Sequence, residues 1–272
     1  METLNDATPH REQQQQTNDE DCQHHVVVCV VERDRRQYET ADEMAREGLA
    51  LALQHRDAAR AGNMLTELGH VAEARGDLDA AMTYFEQGLA QYQQGGEGAA
   101  VGRTLSSLGN LARARGDYTR AREYLEQALA WARKRNFGFA IASGLVSLGH
   151  VACEQGDYAR ASALYGDSLA LYQTLRNPAS LAWRLSGVTV TRAAAHDDEA
   201  VARLCGAIAA LRASASITEQ TEWPPFAQAS EATHRSLGPI RFDEVCADGR
   251  ALSAEQAIVY ALESVRSPDP AP

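Results

Sequence analysis

The sequence predicts an all-α fold built from stacked helical hairpins, and three observations predict it. An eleven-residue phrase, Leu68-Gly69-His70-Val71-Ala72-Glu73-Ala74-Arg75-Gly76-Asp77-Leu78, returns 40 residues later as Leu108 to Tyr118 and again as Leu148 to Tyr158. Around each copy the apolar residues recur at helical spacing, as Leu65, Leu68, Val71 and Ala72 do. No proline occurs between His10 and Asn177, which leaves long helices uninterrupted. A fixed period of this size marks units that can hide their apolar faces only against a neighbour.

Each unit reads as two helices and a tight turn. Gly76 suits the left-handed residue just past a helix end, and Asp77 can cap the helix that follows. The second helix presents Leu78, Ala81, Tyr84, Phe85 and Leu89, echoed by Tyr118, Ala121, Tyr124, Leu125 and Leu129. Small residues at Gly69 and Ala81 let the two backbones approach closely, so enlarging Ala81, Ala121 or Ala161 is expected to cost about 1–3 kcal/mol.

Taken in order, residues 1–36 read as a disordered or degenerate segment. Residues 1–23 are polar, with Gln13 to Gln16 consecutive, the composition of a disordered tail. Val26-Val27-Val28-Cys29-Val30-Val31 is a β-branched run and a poor helix former. In the 40-residue register Val28 falls under Leu68, the pattern of a decayed first helix, although a short strand or an exposed adhesive segment fits the same residues. The repeat array occupies residues 37–212. It begins with a second-type helix from Tyr38 to Leu53, whose Ala41 and Ala45 fall under Ala81 and Phe85. Units at 58–97, 98–137 and 138–177 follow. A fourth, from Pro178 to about Arg212, has Thr189 in place of the repeat glycine and His196-Asp197-Asp198 in place of Gly-Asp-Tyr. Asn177 caps its first helix and Pro178 takes the first helical position.

Residues 213–266 read as a C-terminal helical cap. A loop carries Trp223-Pro224-Pro225, a helix from Phe226 ends at Gly238-Pro239, and a short helix from Phe242 to Asp248 is closed by Gly249. Ser253-Ala254-Glu255-Gln256 has the spacing of a capping box and opens the last helix. Residues 267–272 form a tail.

Composition narrows the function. The chain has 272 residues and a net charge of −11, and Lys134 is the one lysine among 26 basic residues. Dispersed arginines in an acidic chain lack the basic stripe that a phosphate backbone requires, so no direct nucleic-acid contact is expected. No apolar run approaches membrane-spanning length, and the acidic start is wrong for a secretory signal, so cytoplasmic localisation and no membrane partner are expected. Five cysteines without CxxC spacing read as reduced thiols. Cys22, His24, His25 and Cys29 match no metal-site spacing. His70 and His150 are two units apart, too far to share an ion between helices packed about 8–10 Å apart. No metal or cofactor site is expected, and no nucleophile–base or paired-carboxylate arrangement stands out, so the chain reads as non-enzymatic.

Leu68-Gly69, Ala81 and Phe85, repeated in register at 108–125 and 148–165, resemble the tetratricopeptide repeat (TPR). The period departs from the family's, which is about 34 residues, and the extra residues are placed in the second helix and its loop. The resemblance implies a right-handed superhelix whose first helices line a concave groove. Carried onto this sequence, the groove row is Asn63, Thr66, His70 and Glu73, then Arg103, Ser106, Asn110 and Arg113. It continues with Ser143, Val146, His150 and Cys153, then Trp183, Ser186 and Val190. With Arg103 and Arg113 at its centre, the row suits an acidic or C-terminal peptide segment; solvated helix faces would show the same residues.

A second resemblance lies in Ala202-Arg203-Leu204-Cys205-Gly206-Ala207, Trp223-Pro224-Pro225, Phe242 and Gly249-Arg250-Ala251-Leu252-Ser253. These are similar to the end of the TPR region in LuxR-like and AfsR-like bacterial ATPase regulators of transcription. One departure is Cys246, where that pattern carries an aromatic, and no GxxxxGK[ST] loop occurs. Two readings follow: an interaction scaffold that binds a peptide or protein segment in its groove, and a freestanding or truncated sensor arm acting through a separate ATPase or DNA-binding chain. A small-molecule pocket near Trp183 and Trp223 is a third.

Overall fold

The computed structural model describes residues 33, 37–95, 98–175, 178–215 and 223–266. Among them are twelve α-helices and no strand. In chain order these are α1 (Tyr38–Gln54), α2 (Ala58–Ala74), α3 (Leu78–Gly95), α4 (Gly98–Ala114), α5 (Tyr118–Lys134) and α6 (Gly138–Glu154). Then come α7 (Tyr158–Leu175), α8 (Pro178–Ala194), α9 (Asp198–Ser214), α10 (Pro224–Leu237), α11 (Pro239–Arg250) and α12 (Ala254–Arg266). The expectations for residues 1–23, the Val26–Val31 run, the Cys22/His24/His25/Cys29 group, the Asn177 cap and the tail at 267–272 lie outside the described residues. The chain divides into two compact units, 1–128 and 129–272.

The turn chemistry read from the repeat is present in three copies. Gly76, Gly116 and Gly156 have φ of 82°, 78° and 78°, a region closed to most side chains. Beyond each, an aspartate caps the next helix: Asp77, Asp117 and Asp157 accept from the backbone N–H of Ala80, Arg120 and Arg160 at 3.0–3.1 Å. The helices of the repeats are 17 or 18 residues long. First and second helices are thus nearly equal in length.

In the unit 1–128, the Leu-Gly pair has a packing reason. A Cβ at Gly69 would stand 2.7 Å from the Phe85 ring, and one at Gly109 would stand 2.5 Å from Leu125. The glycine is the socket for the second helix's large side chain. Ala81 and Ala121 are fully buried beside it. Stacking repeats along with the fold: Glu39 pairs with Arg75 at 3.4 Å and Asp79 with Arg115 at 2.6 Å, 40 residues on in both partners. The Tyr84 hydroxyl accepts from Arg46, and the Tyr124 hydroxyl donates to Glu86, in the same register. These exposed pairs mark register more than they stabilise it; the buried Ala41, Ala45, Leu68 and Val71 join α1 to α2.

In the unit 129–272, Tyr165 is fully buried between two glycines. A Cβ at Gly149 would stand 2.5 Å from its ring and one at Gly187 would stand 2.3 Å from it. The fourth repeat thus keeps its close approach at Gly187 although Thr189 has replaced the repeat glycine. Its turn puts His196 at φ 57°, and Asp197 caps α9 through Ala200 N–H at 3.1 Å.

Two expectations for the C-terminal helices are corrected. Helix α10 begins at Pro224, not Phe226, because the first helical positions need no N–H partner. Helix α11 runs from Pro239 to Arg250, so Gly249 lies inside it and does not end it. Gly249 serves a helix crossing instead. A Cβ there would stand 1.9 Å from the Arg203 carbonyl oxygen, and one at Gly206 would stand 2.0 Å from the Cys246 carbonyl oxygen. The Cys246 thiol, buried at the same crossing, donates to the Ala202 carbonyl at 3.1 Å. The capping box is complete: Ser253 Oγ accepts from Gln256 N–H and Gln256 Oε1 from Ser253 N–H.

Candidate functional site

The groove residues expected from the repeat register fall into two environments. In the unit 1–128 they remain open to solvent. Arg103 and Glu73 are exposed, while Asn63, Thr66, His70, Ser106, Asn110 and Arg113 are half-buried. Tyr92, from the second helix, reaches this row: its hydroxyl donates to Asn63 Oδ1 at 2.7 Å and lies 3.3 Å from Thr66 Oγ1. No feature of the repeat pattern marked Tyr92 for this role, although Gly62 makes space for its ring, where a Cβ would stand 2.7 Å away.

At the N-terminal edge of that row, His70 Nδ1 lies 3.5 Å from Glu73 Oε2. The His70 ring meets Phe85 edge-on at 5.0 Å. His70 and Glu73, with Arg33, Tyr38 and Ala74, line a cavity of about 360 Å³. Arg33 is held there by Glu67 at 2.6 Å. The edge is polar and carries both signs of charge.

In the unit 129–272 the row is sealed. His150 is 2 % exposed, and Val146, Cys153, Ser186 and Val190 are buried; Ser143 and Trp183 keep partial access. The cover is the start of α10. Trp223 lies 4.1 Å from the His150 ring, Trp183 meets that ring edge-on at 5.1 Å, and Trp223 Nε1 donates to Glu154 Oε1 at 3.1 Å. The Trp183–Trp223 region is thus filled by the imidazole. Burial pushes the Cys153 thiol up to about 11, with its sulfur 3.6 Å from the Tyr165 hydroxyl, so it is a neutral packing group at ordinary pH. Arg184 is buried below the row and donates through Nε to Ser168 Oγ, which donates to the Ala142 carbonyl, each at 2.8 Å. The signal for it was present in the register, where Met64, Thr104 and Gly144 hold the same position.

Tetratricopeptide-repeat family models match residues 60–134 and 141–180. The chain carries tetratricopeptide repeats across those residues. Solved structures share its fold. BtubC from P. vanneervenii is 20% identical over 74% of this chain and 83% of its own, with a TM-score of 0.64. A Rap protein complexed with competence and sporulation factor is 11% identical over 89% and 76%, with a TM-score of 0.63. A STAND signal-transduction ATPase with a TPR sensor from Pyrococcus horikoshii is 15% identical, with a TM-score of 0.59; the match covers 88% of this chain and 38% of that one. At these identities the likeness is one of fold. No curated protein matches the TPR chain in sequence. Among the described residues no helix is long and apolar enough to cross a membrane.

Proposed function

We propose that this TPR protein is a non-enzymatic scaffold that binds a peptide or protein segment along the first helices of its unit 1–128. The observation that carries the reading is the open polar row, with Asn63, Thr66, His70 and Glu73 on α2 and Arg103, Ser106, Asn110 and Arg113 on α4. Such a row on a rigid helical frame offers charge-assisted hydrogen bonds to an extended backbone and its carboxylates. An acidic or C-terminal segment is the guest these arginines suit. His150 is withdrawn from any contact surface by its burial, while Ser143 and Trp183 keep partial access within the unit 129–272. The test compares partner capture by the native chain with that by Arg103→Glu and by Arg103→Glu/Arg113→Glu. Capture is expected to fall while helicity by circular dichroism holds, and undiminished capture removes the groove.

A second reading is a freestanding or truncated sensor arm of a LuxR-like or AfsR-like regulator, working through a separate ATPase or DNA-binding chain. Gly206 and Gly249 favour it: both belong to the segment that resembles those regulators, and they meet at one helix crossing. This reading requires a nucleotide-binding protein among the captured partners; a partner set without one excludes it.

A further inference from the structure

We propose that the α5–α6 connection is a second contact surface, built to take a short peptide segment that alternates carboxylates with apolar side chains. It does not depend on the groove. The stretch Trp131-Ala132-Arg133-Lys134-Arg135-Asn136-Phe137-Gly138-Phe139 puts three consecutive cations, including the chain's one lysine, among three aromatics. The Arg135 guanidinium stands 4.6 Å from the Trp131 ring centroid, and that ring lies 5.4 Å from Phe137. Phe137 is 47 % exposed and Phe139 57 %. Among the described residues no carboxylate pairs with Arg133, Lys134 or Arg135.

The repeat register shows that the fold does not ask for these residues. At the positions of Phe137 and Phe139 the other copies carry Asp57 and Ala59, Glu97 and Ala99, and Asn177 and Ala179. Asp57 caps its helix by accepting from Arg60 N–H at 3.0 Å. Phe137 holds the same capping position with no side-chain hydrogen bond, giving up a stabilising contact to expose a phenyl ring. The three cations likewise replace Leu53-Gln54-His55 and Gln93-Gln94-Gly95. A position that abandons a cap for an exposed aromatic, beside unpaired cations, is arranged for something outside the fold.

The size of the patch selects the partner. Three cations on about one helical turn match two or three carboxylates. A nucleic acid or an anionic bilayer extends far beyond one turn and would meet the rest of a chain whose net charge is −11. A peptide places its charges only where the cations are, and its apolar side chains find Phe137, Phe139 and the Trp131 edge.

The test is fluorescence anisotropy on the full chain with a labelled peptide of alternating Glu and Phe as probe. Matching peptides with Lys for Glu or Ala for Phe, a single-stranded oligothymidine and phosphatidylserine vesicles form the other arms. The Glu/Phe probe is expected to bind, and to weaken about tenfold or more in Arg133→Glu/Arg135→Glu. Phe137→Asp should weaken binding while raising the thermal midpoint, because it installs the missing cap; a variant that is better folded yet binds worse cannot owe its loss to unfolding. Arg120→Glu, a charge reversal elsewhere on α5, should retain binding. Undiminished affinity in the Arg133/Arg135 and Phe137 variants, an equal loss in Arg120→Glu, or binding confined to the oligonucleotide or the vesicles would each overturn the proposal.

Discussion

The indole of Trp223 covers the imidazole of His150, with ring centroids 4.1 Å apart and planes inclined by 34°, and its Nε1 donates to Glu154 at 3.1 Å. A residue far along the chain thereby closes the inner face of α6. Removing a buried indole leaves a cavity that the surrounding helices fill only in part. Trp223→Ala is expected to lower stability by about 3–5 kcal/mol in urea unfolding. Trp223→Phe keeps most of the ring contact and loses the hydrogen bond, for about 1 kcal/mol. A loss below that in the alanine variant would mean that the indole is not part of the core.

The crossing of α9 and α11 permits a paired test. A Cβ at Gly206 or Gly249 meets backbone carbonyl oxygen at 2.0 or 1.9 Å, and backbone cannot rotate away as a side chain can. Gly206→Ala and Gly249→Ala must push the helices apart, and each is expected to cost upwards of about 2 kcal/mol. Gly144, also in a helix, has room: a Cβ there would stand 3.6 Å from Leu129. Gly144→Ala should therefore gain about 0.5–1 kcal/mol from lost chain freedom. Chemical denaturation of the three variants reads both signs, and a uniform result would remove the crossing as the cause.

The hairpins were legible because their causes are local and repeated. Gly76 and Asp77 specify a turn by themselves, and three copies in one register leave little freedom to misread it. Gly249 was misread for the opposite reason: a helix-ending glycine and a helix-crossing glycine look alike until Arg203 is known to lie against it. The sealing of His150 was equally out of reach. The register that aligned it with His70 knows nothing of Trp223, whose approach depends on packing between residues far apart in sequence. The open row of α2 and α4 could be read as a set of positions, whereas the hydroxyl of Tyr92 between Asn63 and Thr66 could not.

Cys153 gives the stability a specific alkaline limb. Burial raises its thiol from the ordinary 9.0 to about 11. The folded state therefore holds the proton to higher pH than the unfolded chain does. Its contribution is complete below about pH 9 and is lost as pH rises through about 11. The stability difference between the native chain and Cys153→Ala, from urea unfolding at several pH values, should be flat below pH 9 and shrink above it. A difference that stays constant to pH 11 would place the thiol in contact with solvent.

The fourth repeat carries a turn that its own neighbours show how to improve. His196 has φ 57°, where Gly76, Gly116 and Gly156 stand at 82°, 78° and 78° in the equivalent turns. A Cβ in this region crowds the following carbonyl, and a glycine relieves it. His196 is exposed, so no packing is lost with the side chain. Against the relief stands the greater freedom of glycine in the unfolded chain. The net expectation for His196→Gly is a gain of about 0.5–1 kcal/mol, read as a higher midpoint in thermal unfolding. The reverse exchange, Gly116→His, meets open space around its Cβ, so its loss should come from backbone strain alone. If the two exchanges move stability in the same direction, the left-handed turn is not what sets the cost.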